Sequence, residues 1–250
     1  MSPVRRLWLA GLYYASWLWF GLGGLLLNVV CLPLLLAPRR ERLGPGVRLT
    51  IHLMFSLWAK WHHASRVMRV EWRGFDHLPR GVVYVANHPC LIDAPLLLAR
   101  LPETVSLFKT ALLRNPVIGP AAILAGYVPS SEDHVELVRE GVQRINAGQS
   151  LLIFPEGTRT ADGTLLGPLK PGFALIAARA NCPIQLVTIR TSPGLTRRGQ
   201  PWWRVPPLPA WMEFTLGQCV QPEPMAETAV TTARVESLFR QSLQLETVSR

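Results

Sequence analysis

The chain has 250 residues, 49% of them hydrophobic, and a formal charge of +10. That length fits one α/β domain with an anchor, or two small domains, and leaves enough apolar material for a sizeable core. The charge comes almost entirely from arginine and marks a binder of polyanions. It leaves nucleic acid, anionic lipid and phosphorylated cofactors open, and the nine tryptophans with a long apolar start favour lipid.

From Leu7 to Ala37 no residue is charged, a run of 31 residues. About 20 apolar residues suffice to span a bilayer as a helix. The run is too long for the apolar part of a signal peptide and shows no clear cleavage site, so it is expected to stay attached. Arg5 and Arg6 precede it, and Arg39, Arg40 and Arg42 follow. A single span would place one cluster on the outer side, against the positive-inside rule. A helical hairpin in one leaflet, hinged near Gly21, Gly23 and Gly24, is expected in preference to one tilted span. Val47 to Val70 interleaves Leu49, Leu53, Leu57, Trp58 and Trp61 with Arg48, Lys60, His62, His63 and Arg66. It fits an amphipathic helix at an interface or, equally, an ordinary helix covering a sheet.

The body alternates strand-like and helical stretches. Val67–Trp72, Val82–Ala86, Leu151–Phe154, Ile184–Ile189 and Trp211–Leu216 are expected strands. Helical spacing covers Glu132–Ala147, Gly172–Ala180 and Glu227–Leu245, and another helix is expected near Pro95. Ser192–Pro209, rich in Pro, Arg and Trp, is expected to be an irregular loop. The alternation predicts an α/β fold, a mixed sheet layered by helices, over residues 67–250. Residues 1–66 are expected to be the membrane-anchoring helical segment and interfacial helix.

Three segments carry candidate chemistry. Asn87-His88-Pro89-Cys90-Leu91-Ile92-Asp93 follows a strand directly. Pro89 drives His88 out of helical angles, onto the strand end where α/β sheets place ligands. Asp93 at the next helix start can bond one imidazole nitrogen and leave the other as a general base. A strand-ending His beside a helix-capping Asp fits the same spacing. Phe154-Pro155-Glu156-Gly157-Thr158-Arg159 also follows a strand. Arg159 can grip a phosphate, Glu156 can accept a hydroxyl or orient Arg159, and a surface turn with a local ion pair is the alternative. Ser106–Gly119 offers Lys109 and Arg114 to an anionic headgroup, or else is a solvated helix face.

Together these residues resemble the glycerolipid acyltransferase family, which includes 1-acyl-sn-glycerol-3-phosphate and lysophospholipid acyltransferases. Asn87, His88 and Asp93 match its first motif, and Phe154 to Arg159 match its third without a change. Lys109, Pro116 and Gly119 resemble the second motif, and Pro183–Val187 the fourth, in order over roughly residues 67 to 220. The resemblance implies an acyltransferase in which His88 deprotonates an acceptor hydroxyl with Asp93 in support. The acyl donor would be acyl-CoA or acyl carrier protein, with no cofactor and no metal. Glu156, Gly157, Thr158, Arg159 and Lys109 would hold the acceptor, with Asn87 and Pro155 supporting the motifs. The partners implied are membrane lipid and the acyl donor, at a membrane. A bacterial inner membrane, with the domain facing the cytoplasm, is the expected location. One departure is visible: where phosphatidate-forming members close the second motif with Asp-Arg, this chain has Ser130-Ser131-Glu132. Glu132 would repel a phosphate, so a non-phosphatidate acceptor stays open beside lysophosphatidate.

No GxSxG segment supplies a nucleophilic serine. Charge alone suggests nucleic acid, without any motif to support it. Cys31, Cys90, Cys182 and Cys219 form no metal knuckle and read as free thiols. Cys90 is taken as an interior position of the first motif, so Cys90→Ala is expected to keep activity. Trp202, Trp203 and Trp211 are taken as loop packing, with membrane contact or the lining of an acyl tunnel as the alternatives.

Overall fold

The computed structural model describes residues 2–130 and 134–248. Seven strands form one sheet in the order β1-β7-β6-β2-β5-β3-β4. They are β1 (Met68–Arg73), β2 (Val83–Ala86), β3 (Thr104–Lys109), β4 (Val128–Ser130), β5 (Ser150–Ile153), β6 (Ile184–Thr191) and β7 (Ala210–Val220). All pairs run parallel except β6 with β7. The mixed sheet layered by helices is therefore the fold.

The central strands are apolar on both sides and alternate between two cores, as the two-residue period of a strand requires. Val83, Val85, Leu151 and Ile184 face a core built with α5 (His134–Asn146), α6 (Gly172–Ala180) and α7 (Thr228–Val248). Tyr84, Ala86, Leu152, Val187 and Phe214 face the other core, with Trp58 of α2 (Gly44–Ala64) and Leu96 and Leu97 of α3 (Asp93–Leu98). Each fully buried Leu, Ile or Phe contributes about 1.5–3 kcal/mol relative to exposure. Trp58 and the cluster of Leu9 and Tyr13 with Val67 join residues 1–66 to the body of the domain.

Helix α1 runs unbroken from Pro3 to Leu34, about 48 Å at 1.5 Å per residue. Ser2 caps its first turn, and Pro3 stands at the helix start, where its missing N–H costs nothing. Among the described residues it is the one helix long and apolar enough to cross a membrane. The hinge expected at Gly21–Gly24 is absent. A Cβ at Gly24 would lie 2.7 Å from the Val117 carbonyl oxygen, so this glycine admits the chain entering α4 (Gly119–Leu124). Asn28 completes the seam, donating to the Val117 carbonyl and accepting from the Ala121 N–H. The chain reverses after α1, between Leu35 and Leu43, and α2 returns beside it.

Both helices are two-faced. On α1, Leu9, Tyr13, Ser16 and Cys31 are buried, while Val4, Leu7, Leu18, Leu22, Leu25 and Val29 are exposed on the opposite side. On α2, Trp58 and His62 pack inward, and Leu49, Leu53 and Leu57 repeat every four residues outward. Helix α2 thus both covers the sheet and presents an apolar stripe.

Candidate active site

Strands β2, β5 and β3 are parallel neighbours, so their carboxyl ends share one edge of the sheet. His88, the Phe154–Thr160 turn and Lys109 all leave from that edge. Asn87 fixes the exit from β2: its side chain donates to the Ile189 carbonyl at 2.9 Å and accepts from the Ile189 N–H at 2.7 Å. A side chain thereby continues the strand pairing with β6 while the backbone turns away.

His88 Nδ1 lies 2.9 Å from Asp93 Oδ2. The Asp93 side chain is fully buried and that of His88 is 20% exposed, so the pair is anchored inside and open outside. The imidazole stacks on Phe154, with ring centroids 4.3 Å apart. With Nδ1 held by a carboxylate, Nε2 is the nitrogen left to exchange a proton. Asp93 starts α3, where the helix dipole favours its negative charge.

Cys90 was expected to be a bystander, and its position says otherwise. Its N–H donates to Asp93 Oδ2 at 2.9 Å and its thiol to Oδ1 at 2.8 Å. Burial, then the Asp93 charge, pushes the thiol pKa well above its ordinary value, so it stays protonated as a donor. The sequence signal was only its place between His88 and Asp93.

The third segment forms a tight turn in which the Gly157 N–H donates to the Phe154 carbonyl. Gly157 has φ +66°, and a Cβ there would lie 3.1 Å from Lys170 Nζ. The Lys170 N–H donates to the Pro155 carbonyl, so this ammonium belongs to the same turn. Sequence reading did not single out Lys170. Its backbone partner, Pro155, lies 15 residues away and only the fold joins them.

Glu156 does not face outward as an acceptor-binding carboxylate was expected to. It is buried, and its oxygens accept from the His88 N–H at 2.8 Å, the Thr160 hydroxyl at 2.9 Å and the Gly167 N–H at 2.8 Å. A buried carboxylate must be so paired, and here the pairing ties the His88 backbone to the Phe154–Thr160 turn. The Thr160 N–H donating to the His88 carbonyl at 2.7 Å adds a second tie. Arg159 directs Nη1 at the Thr196 and Arg197 carbonyls, 2.8 and 2.9 Å away, so this nitrogen braces the 192–209 connection. Pro155 is buried, Thr158 half-buried and Gly157 exposed beside them. Lys109 is exposed at the end of β3 rather than on a helix face, while Arg114 is exposed at the end of the 3-10 turn Thr110–Arg114. Glu132 lies outside the described residues. Among the described residues no three His, Cys, Asp or Glu side chains converge as a metal-ligand set.

Residues 69–190 match the family model described as Acyltransferase. The chain is 32% identical over 145 residues to the chloroplastic 1-acyl-sn-glycerol-3-phosphate acyltransferase BAT2 of Brassica napus, covering 55% of this chain and 42% of that protein. It is 33% identical over 125 residues to 1-acyl-sn-glycerol-3-phosphate acyltransferase alpha of Homo sapiens, covering 47% and 44%. The chain thus spans about half the length of the curated relatives it matches. The crystal structure of the 1-acyl-sn-glycerophosphate acyltransferase PlsC from Thermotoga maritima superposes with a TM-score of 0.71 over 98% of both chains, at 22% identity. That likeness establishes the fold.

Proposed function

Starting from the acyltransferase family, to which residues 69–190 belong, we propose that the protein transfers a fatty acyl group from a thioester to the hydroxyl of a lysophosphatidate-like acceptor. The observation that carries this reading is the His88–Asp93 pair, held at 2.9 Å with its outer nitrogen open. His88 Nε2 takes the proton from the acceptor hydroxyl as its oxygen attacks the thioester carbonyl. The tetrahedral intermediate then collapses, the carbon–sulfur bond breaks, and the imidazolium returns the proton to the leaving thiolate. Ester and free thiol are the products. Asp93 keeps Nδ1 protonated and offsets the positive charge that forms on the ring. A thioester is already activated, so no covalent enzyme intermediate is required.

For the acceptor, the relatives' names supply the starting point, and two cations at the sheet edge support a phosphate. Lys109 ends β3, and Lys170 lies over Gly157. An ammonium at that turn serves a phosphate as a point charge and compensates for the arginine that the second motif lacks. The donor is an acyl thioester of coenzyme A or of acyl carrier protein. We place the outer face of α1 on a membrane surface. Its opposite face meets the domain at Leu9, Tyr13, Ser16, Asn28 and Cys31, which favours lying in the interface over crossing the bilayer. The bacterial inner membrane rests on sequence reasoning alone, since the matched relatives are chloroplastic and mammalian.

The test is thiol release by detergent-purified protein from acyl-CoA and acyl carrier protein donors, against phosphorylated and unphosphorylated lysolipids, with His88→Ala as control. Release that needs lysophosphatidate and vanishes in His88→Ala is expected. Release without any acceptor would make the protein a thioesterase instead.

A further inference from the structure

Pro201 to Arg204 form a turn, closed by the Arg204 N–H donating to the Pro201 carbonyl at 3.1 Å. Its two central residues are Trp202 and Trp203, exposed to 45% and 58%. Turn tips are ordinarily built from Gly, Pro, Asn, Asp or Ser, which meet the backbone angles and the solvent together. Two indoles at such a tip expose large apolar surface to water, which gains nothing from them.

The turn is held rigidly where it stands. The Tyr13 hydroxyl donates to the Trp202 carbonyl at 2.5 Å, and the Tyr14 hydroxyl donates to the Trp203 carbonyl at 3.0 Å. The Trp202 ring packs on Trp17 at 5.4 Å between centroids and meets Trp203 edge to face at 5.7 Å. Tyr13 and Trp17 belong to the inner side of α1. Tyr14 is half exposed at the margin of its outer face. Through Tyr14 the turn reaches the margin of the exposed apolar face of α1. Arg204 in the turn and Arg198 shortly before it are exposed, as are Arg5 and Arg6 at the start of α1.

We infer that the Pro201–Arg204 turn is a second membrane contact, seating Trp202 and Trp203 in the headgroup layer of an anionic phospholipid bilayer beside α1. Indole suits this layer because its apolar body and polar N–H can each find a matching depth. The exposed Arg198 and Arg204 of the same connection match the negative surface of such a bilayer. The inference rests on the membrane seating proposed above for α1. Behind the turn, the same connection accepts the Leu91 N–H at the Thr196 carbonyl and hydroxyl, and Arg159 at the Thr196 and Arg197 carbonyls. The contact is thus braced against both sequence motifs of the site.

The experiment uses the full chain, diluted from detergent into vesicles of phosphatidylglycerol and phosphatidylcholine. It reads sedimentation and quenching of tryptophan emission by lipids brominated on the acyl chains. Trp203→Ser is expected to lose part of the quenchable emission and to bind about tenfold more weakly, with Trp203→Tyr close to wild type. Arg198→Ser with Arg204→Ser is expected to reduce the preference for phosphatidylglycerol. Unchanged quenching and partition in Trp203→Ser, with the parent chain bound, would overturn the inference and leave the seating of α1 standing. A parent chain that stays in the supernatant would overturn both. None of these readings requires turnover, so they are independent of the acceptor.

Discussion

Replacing Cys90 with alanine tests whether the Asp93 carboxylate has to be aimed by its surroundings. The thiol lies 2.8 Å from Asp93 Oδ1, while Oδ2 already has the His88 imidazole and the Cys90 N–H. Alanine removes the side-chain donor from Oδ1 at a site with no exposure to water. A hydrogen bond to a charged group is worth about 1.5–3 kcal/mol. If the loss falls on the step that forms the imidazolium, kcat drops by about 10- to 100-fold, with KM for the acyl thioester nearly unchanged. Serine restores a donor at the same atom, so Cys90→Ser should recover most of the rate. The assay is the pH profile of kcat for the three proteins, alongside their melting temperatures. Wild-type kcat at every pH in Cys90→Ala, in a protein that melts normally, would refute the claim that the thiol aims Asp93.

Asn87→Ala removes both bonds to Ile189 and should lower stability by about 2 kcal/mol, from two net hydrogen bonds of roughly 1 kcal/mol each. Denaturant unfolding in detergent measures it, and an unchanged midpoint would show that β2 and β6 hold their ends without this side chain. His62 is buried against Ser16 and Trp58, and burial lowers its pKa from 6.5 to about 4. The unfolded chain therefore binds this proton more readily. The contribution is fully present above pH 6.5 and is lost as the pH falls toward 4, on the order of 3 kcal/mol in all. Melting curves between pH 4 and 7 should show that slope in the wild type and a flatter one in His62→Gln.

The strands legible in the sequence include the apolar β2 and β5 and also β1, Met68–Arg73, where polar and apolar residues mix. Strands β2, β5 and β6 lie within one or two residues of their expected ends. Strand β3 hid because Thr104 and Ser106 are buried polar residues and Lys109 closes it. Strand β4 hid because it is three residues long and contains Pro129, which only an edge position tolerates. Strand β7 runs four residues past its expected end, through Gly217 and the exposed Gln218 and Cys219, where no hydrophobic pattern marks it. At the site, spacing pointed to His88 and Asp93 because their partnership is local. Glu156 and Arg159 were assigned to the acceptor because their partners, Gly167 and Thr196, are brought near only by the fold. The glycines of α1 were equally visible, but the Val117 carbonyl that Gly24 accommodates was not.

Strand β1 stands at one border of the sheet and, among the described residues, pairs with β7 alone, Met68 lying beside Ala210. These positions are 142 residues apart in the chain. A ribosome adding 5–20 residues per second needs on the order of ten seconds to deliver the second after the first. During that interval α1 and α2 have already emerged, with apolar sides meant for the later strands and the 192–209 connection still bare. On the seating proposed for α1, a lipid surface would cover those apolar sides in the half-made chain as it does in the mature one. Assembly would then proceed from the bilayer inward, with β7 closing the border last.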